Sequence, residues 1–369
     1  MGSRTFTAAR RRITALRLSA LGIAAPIATR PGDAVRHLLA LQAQDYPGAL
    51  WSIGLRMPAA TRADVEAAHE RGDFVRTWPF RGTLHFLAPE DVGWILGLTG
   101  ERMIASAAGR YRQLELTQRD LDRAGDIARH RLSGTHLNRA DLLAAFEAGG
   151  VGVAGQRGAH LLGHLAQSGL TVLRGQNAWH LSDDVIREPR HLERDDALRE
   201  LALRYVAARG PVTDRDFAWW SSLTLTDARA GIAAAQDELE RVEIEDITYW
   251  LRPGLEPAAD GIHVLPGFDE YLLGYSDRHA PLAGAHSSTI VPGGNGLFLA
   301  TIVVNGEVVG SWRRTVSSGK DQRVDVVAEP FGRLSAATRK GFERAARRYA
   351  AFLELPIRFT ELPATDKNR

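Results

Sequence analysis

A chain of 369 residues is too long for one compact core and predicts two or more domains. At 44% hydrophobic and 24% charged it has an ordinary globular composition, which excludes disordered, collagen-like and fibrous proteins. The formal net charge is only +2, yet all but three of the 46 basic residues are Arg, the better fork for phosphate; with no Cys, disulfides, thiol nucleophiles and Cys-ligated metal centres are excluded.

Arg10-Arg11-Arg12 before the apolar run Leu18–Ala28 imitates a signal peptide. Arg17 beside that run and Pro26 inside it favour a basic first helix packed on the domain. No stretch of about 18 apolar residues exists, so a cytoplasmic, nucleoid-associated protein with no membrane partner is expected.

Three segments then share one grammar of helix, second helix and short hairpin. In the first, Asp33 opens a helix bearing Val35, Leu38 and Leu39, and Thr61 opens another with Val65 and Ala68. Phe74–Trp78 and Gly82–Leu87 pair across Pro79-Phe80-Arg81. Linker helices follow at Pro89–Arg112 and Gln118–Leu132. The second segment is the clearest. Asn138 caps a helix with Asp141 three residues on, Gly149-Gly150 breaks it, and a second helix runs from Gln156 to Ser168. Thr171–Leu173 and Ala178–Leu181 flank a turn at Arg174-Gly175-Gln176-Asn177. In the third, Thr213 and Thr226 cap two helices, and Val242–Ile244 and Ile247–Leu251 form the hairpin. Helix–turn–helix plus hairpin is the winged-helix arrangement. Beyond Pro257 the texture turns to strands: Ile262–Leu265, Leu297–Val304 and Glu307–Trp312 around Asn305-Gly306, Arg323–Val327, a helix Ala336–Leu353, then Ile357–Thr360 and a frayed tail ending Asp366–Arg369.

Four places carry candidate chemistry. Gln42 falls on the apolar stripe of its helix, where a neutral amide needs a partner or a cavity. On an ideal helix Gln42 and Gln44 would stand about 200° apart. An extended chain from Leu41 would turn both amides to one side; the alternative is a polar helix end that satisfies backbone groups. Arg76, Trp78, Arg81 and His85 place cations and rings on one hairpin, suited to phosphate contact and base stacking or to a solvated wing. Gln156, His160, His164 and Gln167 make one polar helix face with Arg157 beside it. The His160/His164 spacing resembles a zinc pair, but Leu161 stands where a metalloprotease needs Glu, so no metal is expected. Asp269 and Glu270 are read as structural hydrogen-bonding groups, because adjacent carboxylates on a strand point apart. Arg174, Arg278, Arg313 and Arg314 are further candidates for phosphate. Gly293-Gly294-Asn295-Gly296 lacks the Lys of a phosphate loop, so no nucleotide cofactor is expected.

At Leu41–Asp45, Arg76–His85, Val264–Arg278 and Asn295–Arg314, with Gly210–Asp227, the sequence resembles the AlkZ/YcaQ-like winged-helix DNA glycosylases. The resemblance covers most of the chain. It implies an α+β protein of three tandem winged-helix modules, at 8–116, 117–190 and 191–256, followed by a C-terminal β-rich, barrel-like domain at 257–369. It also implies hydrolysis of the N-glycosidic bond of alkylated purines, crosslinked ones included, in double-stranded DNA. The family's Gln-x-Gln motif, found in the crosslink-unhooking branch, matches Gln42 and Gln44. The YcaQ branch has Asp at the second position. A hairpin used near the lesion corresponds to Arg76–His85 or to Arg174–Leu181. The expectation is a monomeric, cofactor-free, monofunctional enzyme; the alternative is a non-catalytic winged-helix regulator. The small net charge is expected to hide a basic concave face and an acidic outer one.

Overall fold

A computed structural model describes residues 7–294, 296–317, 319 and 322–363; the expected frayed tail and Asn295 lie outside these. Helix α1 (Ala8–Ala20) is capped by Thr7. Its Arg17 is buried, donating to the Pro211 carbonyl at 3.0 Å and lying 3.6 Å over the Tyr275 ring. The basic N-terminal stretch is therefore an integral packed helix.

The first unit comprises α2 (Pro31–Leu38), β1 (Ala40–Gln42), α3 (Tyr46–Leu55), α4 (Arg62–Arg71), β2 (Val75–Phe80) and β3 (Thr83–Leu87). Thr61 caps α4 through a reciprocal box with Asp64. Helix α3 was not expected. Tyr46-Pro47-Gly48 reads as a chain break, but Pro47 lies at the start of the helix, where its missing N–H costs nothing. The hairpin turn falls one step later than expected, at Arg81 and Gly82, which both adopt positive φ (52° and 66°). Then come α5 (Val92–Gln113), α6 (Gln118–Leu132), α7 (Arg139–Ala148), α8 (Arg157–Gln167), β4 (Thr171–Arg174), β5 (Ala178–Leu181) and the short α9 (Ser182–Val185). Helix α10 (Arg194–Arg209), hidden in sequence by its acidic start, leads into α11 (Asp214–Ser221), α12 (Leu225–Ala235), β6 (Glu240–Ile244) and β7 (Ile247–Leu251). Thr224, not Thr226, caps α12 by accepting from the Asp227 N–H. The remainder is β8 (Ile262–Leu265), α13 (Glu270–Leu273), α14 (Ser287–Ile290), β9 (Thr301–Val304), β10 (Glu307–Val316), β11 (Val324–Pro330), α15 (Ala336–Phe352) and β12 (Ile357–Glu361).

The first two hairpins do not stand apart. They merge into one sheet of order β1-β3-β2-β4-β5, joined across the units by the single register pair Arg76↔Leu173. The C-terminal strands form an open sheet, β12-β11-β10-β9-β8, which corrects the expected barrel-like closure. The sheet has no need to close, because α15 seals it. Tyr349 wedges between Trp51 and Trp312, with ring centroids 5.2 and 5.3 Å away, and Phe352 packs on Trp51. One continuous core runs from α1 and the first unit through α10–α12 into this sheet. The residues from Leu116 to Trp179 enclose a second core of their own, to which Leu84 and Tyr111 belong.

His69 ties the two bodies together. It is fully buried, stacked 5.0 Å from Phe74, and its Nε2–H donates to the Leu173 carbonyl at 3.3 Å while Nδ1 accepts from the Tyr46 hydroxyl at 3.1 Å. Burial pushes its pKa down to about 3. In the unfolded chain the ring takes a proton near pH 6.5, whereas the folded protein refuses it. Stability is therefore complete above pH 6.5 and is lost as the pH falls toward 3. Urea unfolding should show a loss of about 1.4 kcal/mol per pH unit below pH 6 from this ring alone. His69→Gln should be flatter with pH over that range, and an unchanged slope would show that other groups set it.

Candidate functional site

The segment carrying the two glutamines is shaped by an unusual backbone. Leu39 ends α2 with φ 64° and ψ −55°, a conformation that a branched residue avoids. It is fully buried and cannot relax outward. The flanking carbonyls are held by Arg209, which donates to Leu38 O at 2.9 Å and Ala40 O at 2.8 Å. Arg209 is paired with Glu270 at 2.8 Å, and neither side chain is exposed. Glu270 also accepts from Trp220 Nε1 at 2.9 Å and from the Gln42 N–H at 3.3 Å. This abrupt turn ends the helix before Gln42 and makes 40–42 a strand, with Gln42 opposite His85.

Both glutamine side chains then reach the start of β3. Gln42 is 5% exposed, and its Oε1 accepts from Arg81 Nη2 at 3.2 Å and Thr83 Oγ1 at 3.4 Å. Gln44 is exposed, and its Oε1 accepts from the Leu84 N–H at 3.3 Å. Arg and backbone N–H groups only donate, so these contacts fix which end of each amide is oxygen. Gln42 Oε1 is held by Arg81 and shares the Thr83 hydroxyl with the Phe80 carbonyl, at 3.4 Å to each; Gln44 has one lone pair free and faces solvent.

Arg81 organises this corner. It also donates to the Trp220 carbonyl, approaches His85 Nε2 at 3.1 Å and stands 5.0 Å over the Trp219 ring. Arg278 stands 4.7 Å over the same ring and donates to the Leu272 carbonyl. Burial brings the Arg81 pKa down to about 10, which leaves it cationic. His85, expected at a DNA-facing wing, is wholly buried instead. Its Nδ1–H donates to Thr83 O at 2.9 Å, leaving Nε2 as acceptor for Arg81; burial, then the Arg81 charge, hold its pKa well below the usual value, so the ring is neutral. Asp269 turns away from Glu270 to a different partner, Arg56, at 3.0 Å. Burial pushes the Asp269 carboxyl up, but Arg56, Ser52 and the Tyr271 N–H outweigh it and hold it below the usual carboxylate range.

Gln44 stands where two depressions meet. One is a cleft of about 450 Å³ between β2–β3, α5 and α8. Trp78 is half-buried on its wall, stacked on Trp179 at 5.7 Å, and His160 and His164 both meet Tyr111 edge-on. The other is a broad open trough past Tyr46 and Pro47 toward Gln176 and Asn177. Arg76 lines both. It is 9% exposed, donates to Gln176 O at 3.3 Å and stays cationic although burial lowers its pKa to about 10.

The other expected DNA ligands are spread out and engaged. Arg157 donates to the Leu114, Glu115 and Gly152 carbonyls, and Arg174 to that of Glu70. Gln156 accepts from Arg110 at 2.7 Å. Arg313 pairs with Glu329, and Arg314 with Asp45, the neighbour of Gln44. Sequence reasoning missed Tyr111 and the exposed Arg139, both on the cleft wall. Arg139 follows the Asn138 cap directly, a position that points a side chain off the helix start. Among the described residues no group of three or more His, Asp or Glu is placed to hold a metal ion. Among them, too, no helix is long and apolar enough to cross a membrane.

Residues 35–352 match the family model described as DNA glycosylase AlkZ-like. The chain belongs to the AlkZ-like DNA glycosylase family. It is 27% identical over 358 residues to an interstrand DNA cross-link repair glycosylase of Streptomyces sahachiroi, covering 88% of this chain and 92% of that protein. The solved structure of the Streptomyces sahachiroi DNA glycosylase AlkZ superposes with a TM-score of 0.77 at 26% identity, over 95% of this chain and 99% of the other. This AlkZ-like protein is thus a DNA glycosylase with a mixed α+β fold.

In this AlkZ-like chain the Arg209–Glu270 pair underlies the Gln segment. Glu270→Gln leaves a buried guanidinium uncompensated and should cost about 3–5 kcal/mol in chemical denaturation. A loss under about 1 kcal/mol would mean that water or another acceptor replaces the carboxylate.

Proposed function

We propose that this glycosylase hydrolyses the N-glycosidic bond of cationic N7- or N3-alkylated purines in double-stranded DNA, with Gln44 positioning the water and Gln42 supporting the segment that carries it. An alkylated purine already carries the positive charge that makes it a good leaving group, so no strong general acid is needed. What the reaction lacks is an oriented nucleophile and partial negative charge beneath the developing oxocarbenium sugar. The observation that carries this reading is the orientation of both amide carbonyls at the hairpin end, that of Gln42 by Arg81 of the turn and Thr83 of β3, that of Gln44 by the Leu84 N–H. Gln44, with a free lone pair at the mouth of the cleft, holds the water. Gln42, beneath it, keeps Arg81 and the strand in register.

An amide is a weak proton acceptor at neutral pH. The same pair is accordingly inefficient on uncharged, undamaged purines, which gives selectivity without a tight base pocket. Lys340, the only Lys among the described residues, is exposed on α15. Attack by water releases the base and leaves an abasic site. The name of the Streptomyces sahachiroi relative supports extending the substrate to interstrand crosslinks. The proposed chemistry uses water and these amides and calls for no cofactor. We further assign the three helix–helix–hairpin units to winged-helix modules that hold the duplex as a monomer in the cytoplasm, with Arg76, Trp78 and His160 on the DNA side.

A duplex carrying one N7-methylguanine, incubated with the protein and then alkali, should break at the lesion. Gln44→Ala should slow single-turnover excision by about 10²-fold or more, and Gln42→Ala by a smaller factor. Binding to the same duplex should change by less than about threefold in both. Parallel loss of binding and rate would assign the two residues to structure.

A further inference from the structure

Hydrolysis has one chemical need that the two glutamines do not meet. The attacking water must give up a proton, and an amide takes one poorly at neutral pH. Gln44 borders both depressions, and of the described residues lining either of them Asp45 alone is a carboxylate. The carboxylates of Asp269 and Glu270 are buried and committed to Arg56 and Arg209. The hydroxyls of Tyr46 and Tyr111 keep their protons, because burial raises the pKa of each. His160 and His164 stand on α8, across the cleft.

The backbone gives Asp45 its place. Successive side chains on a strand point apart. Here the chain bends at Gln44 and Asp45, between β1 and α3, and both residues border one trough. The carboxylate folds back over the first turn of α3, where a Cβ on Gly48 would come within 2.4 Å of Oδ2. Glycine at that position leaves it room. Arg314 holds Oδ2 at 3.3 Å and is itself braced against the Trp312 and Tyr349 rings. Among the described residues no hydrogen bond goes to Oδ1, and the Asp45 side chain keeps 34% of its surface exposed.

We propose that Asp45 is the proton acceptor for the water that Gln44 holds, a role that rests on the assignment of Gln44 to that water. The water oxygen attacks C1′, the C1′–N9 bond breaks, and its electron pair goes to N9 and discharges the alkylated purine. One O–H of the water remains on C1′ as the new hydroxyl. The other proton passes to Asp45 Oδ1, and the open trough returns it to solvent. The same carboxylate offers the developing sugar cation a full negative charge, where an amide offers a partial one. Arg314 fixes the carboxylate without touching the reacting atoms.

Asp45→Asn keeps the shape of the side chain and removes its charge. On a duplex carrying N7-methylguanine or an N7-guanine crosslink, whichever the wild type excises, it should slow single-turnover excision by about 10²-fold. Affinity is read by fluorescence anisotropy on the same duplex with a 2′-fluoroarabino sugar, which resists cleavage. It should be equal or tighter, since a negative charge has left a surface that faces a polyanion. Arg314→Gln breaks the same ion pair but leaves the carboxylate, and should slow excision by less than about fivefold. Sodium formate should speed Asp45→Ala at least about fivefold over sodium chloride of equal ionic strength, a recovery that a merely structural role would not show. Asp45→Asn within about threefold of wild type would overturn the proposal. So would equal losses in Asp45→Asn and Arg314→Gln without recovery in formate. Gln44→Ala, run beside these, keeps the two readings apart. A slow Gln44→Ala with a normal Asp45→Asn removes Asp45 alone. A normal Gln44→Ala with a slow, formate-rescued Asp45→Ala removes Gln44 and retains Asp45 as the acceptor.

Discussion

Everything at the candidate site hangs on one buried ion pair. Arg209 and Glu270 come from a helix end and a one-turn helix 61 residues further on, and both are withdrawn completely from solvent. Such a pair is costly to desolvate, and its Coulombic gain alone does not justify it. Its use here is geometric. The guanidinium holds the carbonyls on both sides of Leu39 in a conformation costing about 1–3 kcal/mol. The carboxylate holds the Gln42 N–H and the Trp220 indole from the other side. A helix that would have carried the two glutamines on opposite faces is thereby cut short and converted to a strand.

The same logic explains the arginine excess. Several of the guanidiniums that the sequence offers as phosphate ligands donate instead to main-chain carbonyls: Arg157 to three, and Arg174 and Arg278 to loop or helix-end carbonyls. Arg56 and Arg348 do likewise around Leu21, Ser52, Leu55 and Met57. A planar five-donor group can satisfy several carbonyls at once where chain segments meet, which an ammonium does less well. The abundance of arginine therefore reflects internal stapling as well as any basic face. Arg76 and Arg139 are the guanidiniums that line the cleft.

Local rules explain what the sequence revealed and what it hid. Caps at Thr61, Asn138 and Thr213 and the turn at Asn305-Gly306 are short-range signals, and helices and hairpins lie where they indicate. Convergence of the two glutamine amides was foreseeable only as one of two options, because it depends on Leu39 adopting positive φ. No local propensity at a leucine announces that; residues 209 and 270 impose it. The merging of two hairpins into one sheet was hidden for the same reason, since it depends on the single long-range pair Arg76↔Leu173. His85 looked like a surface ligand because it alternates with the apolar Leu84 and Phe86, but β3 is covered on both faces and buries it. Tyr111 lies on a helix that reads as a linker, so nothing in its neighbourhood flagged it.

The reach of the Arg209–Glu270 pair has a consequence for how the protein comes to be active. During synthesis the glutamine segment leaves the ribosome more than two hundred residues before the carboxylate that shapes it. Until then the segment has no reason to abandon its helix. The geometry of the two amides is in this way fixed only in the last third of translation, and a product truncated before Glu270 lacks the carboxylate that shapes the segment.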